Sequence, residues 1–301
     1  MSVDRVMTLA LPMLGSAESV AAVGAALRLR RDRSEIQPEV RARLDAVLDV
    51  LEIRDAVEAL EPHEAAGLLG MVEGLLAQDL DLIEKPGRVR WEHESTSILM
   101  AQGQMSALLA GVFAQMIVPT LGEDFAARLQ AAEASFLDIG AGVAALSVAM
   151  CRMWPQARVV GIDPWDRALE LARATVATSG FEDRIELRQT TGEAITDSAE
   201  HDLAWVPTFF IPGTALPAIL DRVHEALRPG GWVIVGIYTR PADPLAAALA
   251  ELRTLRQGGA VVTPDEVVGA LEQTGYTGVD IVIPPERGLP VVCVAGRRAE
   301  A

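Results

Sequence analysis

Apolar residues recur every three or four positions through about the first 130 residues, and this spacing predicts helices. The stretch that begins at Pro38 shows the pattern clearly, because its apolar side chains fall on one stripe and proline suits the first turn of a helix. The predicted helices cover residues 16–31, 38–51, 62–76, 97–117 and 123–131. Residues 81–91 differ: the turn Lys85-Pro86-Gly87 lies between two short apolar runs, which predicts a small hairpin.

The pattern changes at residue 135, where short apolar runs bounded by Gly, Pro and Asp alternate with helical patterns. Five runs predict parallel strands covered by helices on both faces, at 136–139, 159–162, 185–187, 203–206 and 232–235. Two further runs, 279–283 and 289–295, are joined by too little chain for a crossover, so they are predicted to pair antiparallel. The sequence therefore predicts an α/β sheet domain over residues 131–301, preceded by an all-helical domain over residues 1–130.

Composition and charge exclude several functions. The chain has 26 basic and 42 acidic residues, a net charge of −16, and so it repels nucleic acid and anionic membrane surfaces. The uncharged run 95–122 contains three glutamines and Pro119, which favour a buried helix over a membrane span. Residues 1–5 carry no net positive side-chain charge, and the chain has only two cysteines. We therefore expect a cytoplasmic protein without nucleic-acid or membrane partners.

Three polar motifs follow predicted strands at one edge of the sheet. Asp138-Ile139-Gly140-Ala141-Gly142 ends the first strand before a helical run, so its backbone can approach a ligand beside a helix amino end. Asp163 ends the second strand, where a carboxylate can accept hydrogen bonds from both hydroxyls of an adenosine ribose. Gly192-Glu193-Ala194 follows the third strand. Each motif alone could be an ordinary turn or helix cap, but together they favour a cofactor site.

These motifs resemble those of the class I S-adenosylmethionine-dependent methyltransferases. The resemblance covers about residues 135–297 and rests on five ordered motifs: Asp138-x-Gly140-x-Gly142, Val160-Gly161-Ile162-Asp163, Gly192-Glu193-Ala194, His201 to Pro207, and Leu227-Arg228-Pro229-Gly230-Gly231-Trp232. The whole chain is similar to bacterial members with an amino-terminal helical cap, through Gln102-Gly103-Gln104-Met105-Ser106 and Trp205 to Phe210. The resemblance implies a Rossmann-like, seven-stranded sheet. It also implies methyl transfer from S-adenosylmethionine to O, N or C of a small, apolar or aromatic metabolite, with S-adenosylhomocysteine as product.

The resemblance also implies roles for individual residues. Asp138 would organise the glycine turn and face the methionine amino group, while Gly140 and Gly142 would admit the methionine part of the cofactor. Asp163 would bind the ribose. The other implied cofactor contacts are Pro164 and Trp165 beside ribose and adenine, Glu193 and Ala194 at the adenine edge, and Val206.

The cap and the end of the fourth strand are expected to enclose an apolar acceptor pocket. Its expected lining is Gln102, Met105 and Phe113 from the cap, with Trp205, Pro207, Phe209 and Phe210 from the sheet domain. The candidate catalytic residues are His93, just before a cap helix, and Tyr238, at the end of the fifth strand. No His and acidic residues share convincing metal spacing, so no metal is expected. The cap could also serve as a homodimer interface.

One position departs from the family pattern, because Ala144 stands where a third glycine is usual. Either its methyl group tightens the start of the helix, or it weakens cofactor binding. Glycine at this position is expected to lower helix stability by about 0.5–1 kcal/mol.

Two other functions remain open. One is a non-catalytic cofactor-binding or partner-binding protein on the same scaffold. The other is an NAD(P)-dependent oxidoreductase, which is disfavoured because Gly140-x-Gly142-x-x-Ala145 lacks the third dinucleotide-binding glycine.

Overall fold

The computed structural model describes residues 3–284 and 289–300, with side chains described from residue 15 onward. Within these residues, six α-helices precede the sheet: α1 (Val3–Asp32), α2 (Pro38–Val50), α3 (Arg54–Ala59), α4 (Pro62–Glu84), α5 (Thr96–Val112) and α6 (Glu123–Leu129). After α5 the chain continues through a π-helical turn (Phe113–Ile117) and a 3-10 turn (Val118–Leu121). These six helices, with the turns and connectors that join them, form the cap.

Strands and helices alternate through most of the rest of the chain. The strands are β1 (Ser135–Ile139), β2 (Arg158–Ile162), β3 (Ile185–Arg188), β4 (His201–Pro207), β5 (Leu227–Tyr238), β6 (Thr277–Ile283) and β7 (Val291–Arg297). The helices are α7 (Ala145–Met153), α8 (Asp166–Ala177), α9 (Leu216–Ala226), α10 (Pro244–Arg256) and α11 (Pro264–Thr274).

The sheet has the strand order β3-β2-β1-β4-β5-β7-β6. The first five strands run parallel, and β7 runs antiparallel to both of its neighbours. The predicted fold class is therefore confirmed. Residues 285–288, within the predicted link between the last two strands, lie outside the described residues.

Helices cover both faces of the sheet, as the apolar strands require. One face packs against α7, α8 and cap residues that include Phe113 and Phe125, while the other packs against α9 and α11. Residues on both sides of position 130 thus share one core. Because the carboxyl ends of β1, β2 and β4 are neighbours, any ligand chemistry at these ends converges on one edge of the sheet.

Helix α5 lies between α4 and α7 with unusually close backbone contacts. A Cβ atom on Gly74 would lie 2.0 Å from the Cβ of Ala101, and one on Gly103 would lie 2.2 Å from Val143 Cγ2. Thr96–Leu121 is long and apolar enough to cross a membrane by composition alone. The expected buried helix is found only in part: Ile98, Leu99, Ala101, Gly103 and Ala110 are buried, whereas Leu108 is exposed.

The predicted hairpin at residues 81–91 is wrong. Helix α4 continues through Glu84, and its end is marked by the Lys85 amide, which donates to the Asp81 carbonyl oxygen at 2.7 Å. Residues 88–95 then cross to α5 without forming a strand. Leu82 and Ile83 fit a helical repeat as well as a short strand, and the more than five turns of α4 that precede them favour the helix.

Replacing Gly103 by alanine is predicted to push α5 away from the start of α7. The new methyl group would meet Val143, whose β-branched side chain has little rotamer freedom. We expect a loss of about 1–3 kcal/mol in the free energy of unfolding, measured by urea denaturation. The matched control is Gly111→Ala on the same helix, where nothing lies within 4 Å and a gain of about 0.5–1 kcal/mol is expected. Equal effects of the two substitutions would contradict this account.

Candidate active site

The turn that links β1 to α7 contains three residues with left-handed backbone conformation. The φ angles are +69° at Gly140, +57° at Gly142 and +60° at Ala144. Glycine adopts this conformation readily, whereas alanine pays about 1–2 kcal/mol for it. The Ala141 amide donates to the Ile162 carbonyl oxygen at 2.9 Å, which holds the turn beside the end of β2.

Asp163 ties the glycine turn to the turn that follows β2. Its Oδ2 accepts a hydrogen bond from the Gly142 amide at 2.9 Å, and its Oδ1 accepts one from the Trp165 amide at 2.8 Å. Burial raises the pKa of this carboxyl, and the two amides partly offset the shift. A carboxylate has about four acceptor sites, so two remain for a ligand in the cavity that Asp163 lines.

Asp138 lies at the end of β1 and is almost fully buried. Its Oδ2 accepts a hydrogen bond from the Ser147 hydroxyl at 2.6 Å. Burial raises the pKa of this carboxyl to about 7, and the nearby charge of Asp163 acts in the same direction. Asp138 lies two residues before Gly140 and outside the lining of the cavity that Gly140 and Asp163 share, so its expected contact with the methionine amino group stays a prediction.

A cavity of about 560 Å³ joins these elements and is called the cofactor pocket. The glycine turn and residues 163–165 form one side; α5, residues 89–92, Phe210 and residues 257–258 form the other. Trp165 Nε1 is a buried donor without a hydrogen-bond partner among the described residues. An unpaired buried donor, free carboxylate acceptor sites and a turn with little side-chain bulk fit a polar cofactor with a ribose.

Seven of the predicted site residues line this pocket: Gly140, Gly142, Asp163, Pro164, Trp165, Gln102 and Phe210. Pro207 lies just outside, with its Cγ 3.9 Å from where a Cβ of Gly140 would be. Met105 is half-buried on α5, one residue from the lining residue Ser106. Glu193 and Ala194 are exposed on the short turn after β3, outside the lining. Their contact with adenine stays a prediction.

Four other predicted residues belong to the core instead. Phe113 packs edge-on against Trp205 with ring centroids 5.6 Å apart, and Phe209 stacks on the ring of Tyr238. Val206 is fully buried on the opposite face of β4. The expected pocket roles of Phe113, Trp205, Phe209 and Val206 are therefore corrected. Strand β4 is buried on both faces, so large side chains near its end fill the core before they can reach a ligand.

Neither candidate catalytic residue lines the cofactor pocket. His93 is buried, and its burial together with the charge of Arg88 lowers its pKa to about 4, which makes it a weak base. The Tyr238 hydroxyl donates to Gln257 Oε1 at 3.0 Å, and burial raises its pKa. Tyr238 therefore stays protonated and acts on the pocket only through Gln257.

Sequence reasoning missed two stretches of the pocket wall, residues 89–92 and 257–258. They meet because Gly258, with φ +80°, lets the backbone of residues 89–91 approach closely: a Cβ there would lie 3.2 Å from the Val89 carbonyl oxygen. For residues 89–92 the sequence did offer one indication of a buried contact: Trp91 is a large aromatic residue in a mostly polar connector.

Comparisons with known proteins agree with this geometry. Residues 136–231 match the family model described as a methyltransferase domain. The ubiquinone biosynthesis O-methyltransferase of Cereibacter sphaeroides is 30% identical over 186 residues, which cover 59% of this chain and 74% of the relative. A putative O-methyltransferase structure from Nostoc punctiforme aligns with a TM-score of 0.68 at 18% identity, over 97% of this chain and 98% of that one. The structure of human N-acetylserotonin methyltransferase in complex with S-adenosylmethionine aligns with a TM-score of 0.64 at 15% identity, over 99% of this chain and 100% of that one.

The two structural likenesses are at low identity and support the fold alone, whereas the Cereibacter relative establishes the family. The chain belongs to the class I S-adenosylmethionine-dependent methyltransferases. It is a methyltransferase, and its cofactor is S-adenosylmethionine.

Ala144 precedes α7, and its methyl group is buried in the core away from the pocket lining. The expectation that glycine here weakens the helix is therefore wrong, because the residue has left-handed backbone conformation outside the helix. For Ala144→Gly, relief of about 1–2 kcal/mol of strain offsets the lost burial of one methyl group, about 0.8 kcal/mol. We expect equal or slightly higher stability and unchanged affinity for S-adenosylhomocysteine, measured by thermal unfolding and calorimetry.

The adjacent substitution Ala145→Gly is the control, since it lies in the first turn of α7 and should cost about 0.5–1 kcal/mol. A several-fold gain in cofactor affinity for Ala144→Gly would show that the methyl group does reach the pocket.

The raised pKa of Asp138, together with its expected contact with the methionine amino group, predicts pH-dependent cofactor binding. Below pH 7 the carboxyl is largely protonated in the free protein, and a bound cation must first displace that proton. The affinity for S-adenosylmethionine should therefore rise with pH up to about 7, by at most about tenfold per pH unit, and then level off. Calorimetry across this range checks the profile, and Asp138→Asn should flatten it. A wild-type profile as flat as that of the variant would rule out contact between Asp138 and the cationic part of the cofactor.

Proposed function

We propose that the enzyme methylates a hydroxyl oxygen of a small molecule held between the cap and the glycine turn. The observation that supports this most directly is a single cavity lined from two sides. Gly140, Gly142 and Asp163 line it from the sheet domain, and cap residues such as Gln102 and Trp91 line it as well. An acceptor that enters this cavity therefore lies beside the cofactor and under the cap. Oxygen as the acceptor atom is supported by the Cereibacter relative, which is named as an O-methyltransferase.

The volume of the cavity and the net charge of the chain both support a small acceptor. A cavity of about 560 Å³ falls within the range of sites for small ligands, about 300–1,000 Å³. The cap covers the strand ends, where an open sheet would leave the cofactor accessible to a macromolecule. The net charge of −16 also disfavours nucleic acid as acceptor.

Particular residues would hold the cofactor. The free acceptor sites of Asp163 suit ribose hydroxyls, and the glycine turn leaves room for the methionine part. Trp165 offers its unpaired indole N–H to an acceptor atom of the ligand. When bound, S-adenosylmethionine would supply an electrophilic methyl group on its sulfonium. Transfer to a hydroxyl oxygen would release S-adenosylhomocysteine, and the hydroxyl proton would be lost to solvent. Holding the two reactants in line and excluding bulk water accounts for much of the rate in such a displacement.

The pocket lining limits which hydroxyls can react. Its ionisable residues, among those described, are Arg90, Glu92 and Asp163. Arg90 and Glu92 pair with each other near the surface at 3.6 Å, and Asp163 is engaged by two backbone amides. Without a well-placed general base, an acidic hydroxyl such as a phenol or enol suits this site better than an aliphatic alcohol.

Formation of S-adenosylhomocysteine with a panel of phenols, and with matched anilines and thiols, tests the proposal. We expect product with phenols. For Asp163→Asn we expect at least about tenfold weaker binding of S-adenosylhomocysteine by calorimetry, because charge-assisted hydrogen bonds to the ribose are lost. Lower stability is also expected, since Asn cannot accept bonds from both backbone amides.

Asp166→Asn, at the exposed start of α8, is the control and should leave both quantities unchanged. Methylation of anilines or thiols in preference to phenols would contradict oxygen as the acceptor. Binding of S-adenosylmethionine without turnover of any acceptor in the panel would favour a non-catalytic role.

A further inference from the structure

A second cavity of about 400 Å³ lies between α1, α4 and α10, next to the cofactor pocket. Trp91 and Gln257 line both cavities. The Trp91 ring lies 5.0 Å from the Phe210 ring on the cofactor side and 4.5 Å from the His93 ring on the other. The two cavities therefore adjoin at one indole ring and one amide.

The walls of the second cavity are mostly aliphatic. Its apolar lining includes Val20, Leu75, Leu76, Leu82, Leu249 and Leu252. Four of these side chains, on three different helices, are 37–50% exposed although they face a common groove. Aliphatic side chains that converge on a groove from several helices form a surface suited to an apolar ligand.

The ionisable residues that line this cavity, besides His93, are Asp79, Arg253 and Arg256. Arg256 pairs with Asp81 at 2.9 Å, and Asp81 also pairs with Arg88. His93 is neutral at physiological pH, because burial and the charge of Arg88 lower its pKa to about 4. An uncharged chain can therefore lie beside Arg256 without breaking its pair with Asp81.

Gln257 supplies a directional hydrogen-bond donor at the junction. It is almost fully buried, and its Oε1 accepts from the Tyr238 hydroxyl at 3.0 Å. Tyr238 is itself fixed by stacking on Phe209, with ring centroids 4.4 Å apart. This contact orients the amide so that its NH₂ group has no acceptor among the described residues. Such a group can donate to an oxygen of a ligand at the shared wall.

Building on the proposed function, we infer that the acceptor carries a hydroxylated ring and an apolar tail, with the ring held by Gln257 beside the cofactor and the tail in the second cavity. Trp91 lies where ring and tail join. Gln257 then binds the hydroxylated ring of the acceptor, whereas Leu252 and its neighbours contact the apolar tail alone.

The test uses phenol and 4-hexylphenol as probes, titrated by calorimetry into the full-length protein saturated with S-adenosylhomocysteine. We expect 4-hexylphenol to bind at least about tenfold more tightly than phenol, because several methylene groups leave water. Leu252→Arg should abolish most of this difference while leaving phenol unchanged. Gln257→Leu should weaken both probes by a similar factor and leave their ratio intact.

Leu255→Arg is the matched control, since Leu255 lies on the same helix, is 52% exposed and lines neither cavity. The inference is overturned if the two phenols bind within twofold of each other, if 4-hexylphenol does not bind, or if the two arginine variants behave alike. It is also overturned if Leu252→Arg converts a dimer to a monomer, because a second copy of the chain would then cover the groove. Failure of the proposed function is distinguishable, as it would appear as loss of S-adenosylhomocysteine binding or absence of methyl transfer to phenols.

Discussion

The close approach of α5 to the start of α7 is the contact on which the site depends. Gly103 allows it on the sheet side, and Gly74 allows the matching contact with α4 on the other. Because Val143 follows directly after Gly142, the helix that covers the cofactor pocket is packed against the turn that forms its floor. Cap and sheet therefore cannot move apart without exposing this turn. Two positions without side chains thus determine whether the pocket is covered.

Burial of two carboxyl groups is the energetic cost of this arrangement. Asp138 and Asp163 both have raised pKa values, since their charged forms are removed from water. For Asp138 the folded protein retains a proton between about pH 4 and 7 that the unfolded chain releases, so stability falls as pH rises through this window. A bound cation would recover part of that cost. The contribution of Asp138 to the stability of the free protein is thus smaller near pH 7 than near pH 4.

Local patterns predicted the sheet and the glycine turn because strands buried on both faces have short apolar sequences ended by Gly, Pro or Asp. These local patterns failed where contacts between distant parts of the chain determine the conformation or the position of a residue. Leu82 and Ile83 suited a strand or a helix equally, and Trp205 suited a pocket or the core. The contact of Val89 with Gly258 joins residues far apart in sequence; Trp91 marked one of the two stretches, but no local pattern showed that they meet. The left-handed conformation of Ala144 was hidden for a different reason, since alanine seldom adopts it.

A site without a strong base must obtain its rate from geometry. Remote binding energy can fix the orientation of a reacting group, and the entropy lost on positioning is then recovered from parts of the substrate that do not react. The structure separates these tasks, since Gln257 is held by Tyr238 at the junction while aliphatic side chains of α4 and α10 form the adjoining groove. A tail bound in that groove would limit rotation of the ring in front of the cofactor. The cap would then contribute to the rate through residues that never touch the reacting atoms.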